Sequence, residues 1–426
     1  MSWDLIVIGG GLAGLYAAYK TLQRTPTARV LVLEGKASAY LGGRIGNDMF
    51  YGAEVVTGAG VGRKRKDKLM RRLLRELGIV APEEKVFKAA AGVLATPGRT
   101  VDTRTLYREW EAMFAKAGRP RQTVRAFFEP RVGRDLLARF VDSAGFGDYL
   151  DEDADEFFKH YGFDDTYSGW TCLRVPWREL VDKLVAAIER APGGGKVLTS
   201  RWVTGAGQGP NYQYVVRTRQ GPSYAAHRLV LATTVASVRK LLPGIASEAA
   251  TSPTLLWWAT VHPEVLLRQY LKFDAASADR LRAVFAQVPP HTDTLLLAGP
   301  LAKLVRIDPA KGIYEVYTDS DKARVCEPHC ANTEAGRRWW ATELAKTLQL
   351  PPGSLRILSM REYDWHTGEH YYEPLPADCP TREVFVHTLQ HPTQNAWVVG
   401  EVVSRNQGWT EGALESVEAV WREWME

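Results

Sequence analysis

The sequence predicts an α/β chain in which a parallel-sheet domain is interleaved with a second, α+β domain, and three observations carry that reading. Asp4 to Ile8 (DLIVI) is apolar and β-branched and runs straight into Gly9-Gly10-Gly11-Leu12-Ala13-Gly14; a helical pattern continues to Arg24, and a second apolar run from Arg29 to Leu33 ends at Glu34. Strand signals fade after residue 80 and return in the runs Lys196 to Val203, Tyr212 to Arg217 and Arg228 to Ala232. A last buried-strand pattern, Ala396 to Gly400 (AWVVG), leads into a closing helical stretch from Trp409 to Trp424. Residues 1–80, 191–250 and 380–426 are therefore assigned to the parallel-sheet domain, and 81–190 with 251–379 to the other.

The first unit is the most specific. Gly9 permits a tight turn, Gly11 lets backbone approach a pyrophosphate, and Gly14 lets the helix pack close to the strand. The helix starting near Leu12 aims its N-terminal N–H groups at phosphates. Glu34 stands where a carboxylate accepts from a ribose hydroxyl. The glycine motif alone is weak evidence; the order strand, turn, helix, strand, Glu points to a dinucleotide.

The remaining elements follow from pattern and punctuation. Leu69 to Gly78 has helical spacing with a glycine stop. Helical patterns from Thr103 to Lys116, Gly133 to Ala144 and Trp177 to Glu189 read as a helical insertion. Ala191 to Gly195 is a turn. Strands are expected near Val265 to Phe273, Thr294 to Leu297 and Gly312 to Thr318, and a helix near Thr333 to Leu348.

With 426 residues, 45% of them hydrophobic, the chain has ample material for a large core. A formal charge of +5 is too small to argue for nucleic acid. Four scattered cysteines suit a reducing compartment. No signal peptide pattern and no run of about twenty apolar residues is present, so a cytoplasmic protein without a transmembrane segment is expected.

Two further motifs speak to chemistry. In Leu41-Gly42-Gly43-Arg44, the glycines let backbone lie against a ring or phosphate, and Arg44 offers a fork of donors to phosphate oxygens. Gly58-Ala59-Gly60-Val61-Gly62-Arg63 adds another small-residue loop. Near the end come Gly400-Glu401, Ser404 and Gln407-Gly408-Trp409-Thr410-Glu411-Gly412-Ala413. Small residues at a helix N-terminus admit a polar ligand, and Glu401 is placed to hydrogen-bond a ribityl or ribose hydroxyl.

Together these motifs resemble the flavin-containing amine oxidase family, strongly at the two ends of the chain and loosely in the middle. The resemblance implies a Rossmann-like, glutathione-reductase-like FAD-binding domain interleaved with the α+β substrate domain. It implies that Gly9, Gly11, Gly14, Glu34, Gly42, Gly43, Arg44, Gly60, Val61, Gly400, Glu401, Trp409 and Thr410 hold FAD, with the Val203 backbone against the adenine. It places an aromatic pair before the flavin: Trp409, with Tyr371 or Tyr372 from the segment Trp365 to Tyr372. The family's strand-borne lysine is replaced by Arg268 in the best alignment, with Lys272 and Lys303 in reach; an arginine cannot serve as a base near neutrality. No cysteine immediately precedes the Tyr371 segment, so non-covalent FAD is expected.

The implied reaction is hydride transfer from an amine-bearing carbon to flavin N5, giving an imine, with O2 as oxidant and H2O2 released. The implied partners are a small-molecule amine and O2. A carbon–carbon desaturase or porphyrinogen-type oxidase would share the same ends, and a flavoprotein with a non-redox role is a third class. Three other features are read as structural. The basic run Arg63 to Lys68 and the acidic run Asp151 to Glu156 are expected to be solvated helix starts. The group Cys326, His329 and Cys330 lacks a fourth ligand, so no metal site is expected.

Overall fold

A computed structural model describes residues 2–90, 100–161, 168–209, 213–219, 221–245 and 256–425. Tyr212, where one strand was expected to begin, and the expected boundary at 250 lie outside that set.

The first sheet has seven strands. Trp3–Ile8 lies parallel to Tyr224–Leu231 on one side and to Val30–Leu33 on the other. Lys196–Leu198 and Ala396–Val398 add parallel strands, while Val203–Gln208 and Tyr214–Thr218 form an antiparallel extension. Leu5, Val7, Val30 and Val32 enter one core, shared with the helices Leu12–Arg24, Trp177–Glu189 and Thr410–Val420. Ile6, Ile8, Leu31 and Leu33 enter the opposite core, under the helices Val235–Ile245 and Arg382–Gln390. This period-two division explains why both runs are apolar at every position: each face of the sheet is covered. Burying one such side chain contributes about 1.5–3 kcal/mol. The arrangement is a Rossmann-like dinucleotide-binding fold within a mixed α/β chain.

Glycine makes its first turn possible. Gly9 has φ +113, and a Cβ there would lie 2.2 Å from the Ala232 carbonyl oxygen. A Cβ on Gly14 would lie 2.0 Å from the Gly9 carbonyl oxygen, so the helix approaches the strand closer than alanine allows.

Two expectations are corrected. The run from Lys196 to Val203 is not one strand: Ser200 takes φ +54, and Val203 starts a different strand beyond the bend. The helix Trp177–Glu189, expected with the insertion, packs on the parallel sheet through Leu180, Val181, Leu184 and Ile188.

The second sheet has six strands, in the order Ile357–Tyr372, Val261–Phe273, Ile313–Asp319, Lys303–Asp308, Thr294–Leu296 and Lys88–Ala90. One face is covered by the helices Ala275–Phe285, Ser320–Cys326 and Glu334–Thr347. Glu264, Leu266 and Arg268 point the other way, into a cavity between the sheets. A third unit comprises the helices Thr103–Lys116, Val124–Val132, Arg134–Ala144 and Ala154–His160 around an aromatic core that includes Trp110, Phe114, Phe127, Phe128 and Phe157. No helix among the described residues is long and apolar enough to cross a membrane.

Candidate functional site

A cavity of about 980 Å³ runs from the glycine turn, past the last helix, to the second sheet. At its first end the Gly11 N-cap carries no side-chain cap, and the first helical turn has no acidic residue. Its amide donors therefore face the cavity with a favourable dipole and no competing carboxylate. Glu34 Oε2 accepts the Gly10 N–H at 2.9 Å and Oε1 accepts the Lys36 N–H at 2.7 Å, which fixes the carboxylate at the strand end. The Gly42 N–H donates to the Gly10 carbonyl at 2.9 Å, tying the Gly42-Gly43-Arg44 loop to the turn. Gly9, Gly11, Glu34, Gly42, Gly43, Arg44, Gly60, Val61 and Val203 all line this cavity. Gly14 does not line it; its place is the helix–strand contact.

The chain's far end closes the same space. Gly400, Glu401, Gln407, Trp409 and Thr410 line it. Glu401 is buried, and Oε1 receives hydrogen bonds from Arg44 Nη1 and His370 Nδ1, while Oε2 receives the Gly408 N–H at 3.3 Å. Burial alone would raise its pKa; His370 and Arg44 outweigh burial and hold the carboxyl down at about 2. Within the protein its charge already organises three groups. His370 lies between Glu401 and the Val235 N–H, which donates to Nε2 at 3.2 Å. One nitrogen must donate and the other accept, so the ring is the neutral Nδ1–H tautomer. Burial lowers its pKa in the same sense.

Gln407 and Thr410 are only 7% and 8% exposed, yet the Gln407 amide atoms and the Thr410 hydroxyl have no hydrogen-bond partner among the described residues. Buried polar atoms left this way in a native fold call for a ligand or ordered water. Both side chains sit where the helix Thr410–Val420 begins.

Trp409 lines the cavity, and the Arg63 guanidinium stacks on its ring, 3.9 Å from the centroid. Arg63 is 3% exposed, and its Nε donates to Asp67 at 2.7 Å. The solvated basic run is thus corrected at Arg63 and Asp67: both are buried, Arg63 against the tryptophan and Asp67 against Arg63. Tyr371 also lines the cavity, stacked on His262 at 5.4 Å, with its hydroxyl pushed up to about 12 by burial. Tyr372 is corrected out of the site. It is 0% exposed, packs in the core beneath the parallel sheet, and donates to the Val402 and Ser404 carbonyls. At the end of this strand Tyr371 and Tyr372 turn to opposite faces, the first to the cavity and the second to the core.

Arg268 lines the cavity but is fixed on every side. Its Nη1 pairs with Glu315, its Nε donates to the Gly58 carbonyl at 2.6 Å, and its central guanidinium carbon lies 4.3 Å from the Tyr317 centroid. Burial disfavours the charge, but Glu315 more than offsets it and keeps the pKa above its ordinary value. Its visible work is to support the Gly58–Val61 loop. Lys272 is corrected: beyond Tyr270 the strand leaves the cavity, and its Nζ donates to the Lys311 carbonyl. Lys303 does line the cavity, 3.4 Å from the Phe146 centroid and 4.3 Å from that of Tyr317.

The acidic run is solvated at Asp151 and partly at Asp155, and is corrected at its other three carboxylates. Glu152, Asp153 and Glu156 are buried, paired with His160, Arg382 and Arg405 respectively. Cys326 and Cys330 are buried thiols, both raised by burial, Cys326 to about 12. Sequence reasoning did not single out His370 or Arg63. The one signal available for His370 was its place in the Trp365 to Tyr372 segment; for Arg63 there was none, because charge runs are ordinarily solvated.

Comparison with known proteins agrees with the first part of this picture. Residues 7–77 match a family model described as an NAD(P)-binding Rossmann-like domain. A 53-residue stretch is 40% identical to the uncharacterized protein R188 of Acanthamoeba polyphaga mimivirus, covering 12% of this chain and 10% of that protein. The chain thus matches about a tenth of that relative's length. The family match shows a Rossmann-like dinucleotide-binding domain at the start of the chain.

Proposed function

We propose that the chain is an FAD-dependent amine oxidoreductase. The observation that carries this reading is the continuity of one cavity from the Gly9–Glu34 cradle to the Gln407–Thr410 closure. A dinucleotide site needs the first part alone. The second part adds unpartnered buried polar atoms and an aromatic wall, which suit a flat heteroaromatic ring with a polar edge.

The residues fit FAD. Glu34 would take the ribose, the helix start at Leu12 and the free edge of Arg44 the pyrophosphate, and the Val203 backbone the adenine. Thr410 and Gln407 would meet the polar edge of the ring. Bound FAD supplies an acceptor for the hydride leaving the amine-bearing carbon, with O2 as final oxidant and H2O2 as product. The protein orients and dries the substrate: Trp409 and Tyr371 offer ring faces, and the buried walls exclude water.

The test is direct. The purified protein should show a flavin spectrum, and anaerobic addition of amines, amino acids or polyamines should bleach it for one class. A colourless protein, or a flavin that no amine bleaches, sinks the reading.

A further inference from the structure

We propose that Arg63 sets the charge preference of the Trp409 wall, turning it away from cations and toward neutral groups. The proposal rests on reading the cavity as the substrate site and names a residue that acts through Trp409 without touching the substrate.

The geometry is specific. The central guanidinium carbon of Arg63 lies over the Trp409 ring, 3.9 Å from its centroid. Among its hydrogen bonds, Nε donates to Asp67 at 2.7 Å and Nη2 to Asn406 at 3.2 Å. At 3.9 Å nothing fits between guanidinium and ring, so Asp67 stands beside the cation rather than in front of it. Trp409 lines the cavity and Arg63 does not. The cavity therefore meets the indole on its other face or its edge.

An indole face attracts cations because its π cloud is negative. A guanidinium on one face draws that density toward itself and leaves a positive charge behind the ring. A cation arriving from the cavity then meets a weakened π face and Coulomb repulsion. A neutral amine or alkyl group meets only the apolar ring. Arg63 also holds the ring's orientation, since the fork to Asp67 and Asn406 fixes the guanidinium plane. It is a positioning and specificity-determining residue.

The test compares two probes of one shape, choline and 3,3-dimethylbutan-1-ol, by ligand-observed NMR titration of the purified protein. Wild type should prefer the alcohol. R63M/D67N removes the buried pair together, so no charge is left alone, and should shift the affinity ratio toward choline by about 3- to 30-fold. R63K keeps the charge and should retain the wild-type ratio. R63Q/D67N makes the same comparison if that double variant does not fold. An unchanged ratio in the neutral variants overturns the proposal, as does an equal loss of both affinities, the mark of a merely structural role. Failure of both probes to bind at millimolar concentration also overturns it, because the proposal requires a Trp409 surface in the cavity that takes up one of them. The readout needs no flavin, so a colourless protein would sink the FAD reading while the probe ratio still decides Arg63.

Discussion

The carboxylate of Glu401 gathers Arg44, His370 and the Gly408 amide around one buried charge, and so joins three segments far apart in the chain. Its folded pKa of about 2 lies below the ordinary 4.5. A carboxyl lowered on folding stabilises the fold above its ordinary pKa, and that contribution is lost as pH falls through the folded value. E401Q should therefore cost about 3 kcal/mol in urea unfolding at pH 7. The gap between wild type and variant should narrow on acidification from pH 4.5 toward 2. A gap independent of pH would contradict the assigned ion pairing. At this scale the sequence was a partial guide. It marked Glu401 and Arg44 as site residues, but both were read against an absent ligand, because their pairing with each other spans 357 positions.

The last helix carries a joint of the same kind with the opposite sign. Glu411, in the first turn of Thr410–Val420, accepts the Leu69 and Met70 amides of the helix Lys68–Glu76 at 2.7 and 2.9 Å. Two amides at a helix N-terminus favour the charge. Burial, reinforced by Asp67, opposes it more strongly and pushes the carboxyl up to about 7. A carboxyl raised on folding costs stability as pH climbs from its unfolded to its folded value. E411Q should thus gain on wild type by up to about 3 kcal/mol between pH 4 and 8, measured as the difference in unfolding free energy at each pH. No gain at pH 8 would mean that the two amide bonds dominate.

Elements differ in how well they were legible. Leu12–Arg24 and Trp177–Glu189 declare themselves by periodicity over the residues expected, although the second packs on the parallel sheet and not with the insertion. The strand Ile357–Tyr372 does not. Its second half carries Asp364, His366, Glu369 and His370 toward the cavity, and its pairing shifts register opposite Glu264 and Leu266. Polar residues facing a cavity erase the alternation by which a half-buried strand is recognised.

Across the whole molecule, the helical unit is docked by buried charge. Arg382 Nη2 donates to Asp153 at 2.7 Å and to the Glu373 carbonyl at 2.8 Å, while Arg405 reaches Glu156 at 3.0 Å. His160 sits between the Glu152 carboxylate and the Arg405 carbonyl. Two acceptors require both ring nitrogens to donate. Burial works against that charge, yet Glu152 and Glu156 hold the imidazole above its ordinary pKa. Removing one partner from such a network leaves a buried charge uncompensated. R382M should cost about 3–5 kcal/mol of stability by thermal or urea unfolding. Limited proteolysis should then cut first within 100–161. Cleavage starting in the parallel sheet would show that the helical unit is held by other contacts.

What the sequence by itself determined is the dinucleotide cradle, because its signals are local. A buried strand, a turn that excludes Cβ, a helix start and a terminal carboxylate all fall within residues 4–34, and each acts on its nearest neighbours. What only the tertiary structure decided is how the remaining site residues face one another. Tyr371 meets the cavity and Tyr372 the core through the parity of one strand, which a single slip in register would invert. Arg63 lies against Trp409, and His370 against Glu401, only because long-range packing removes them from water. A buried charge must find a partner wherever the fold supplies one, and that partner's distance along the chain leaves no mark on the local pattern.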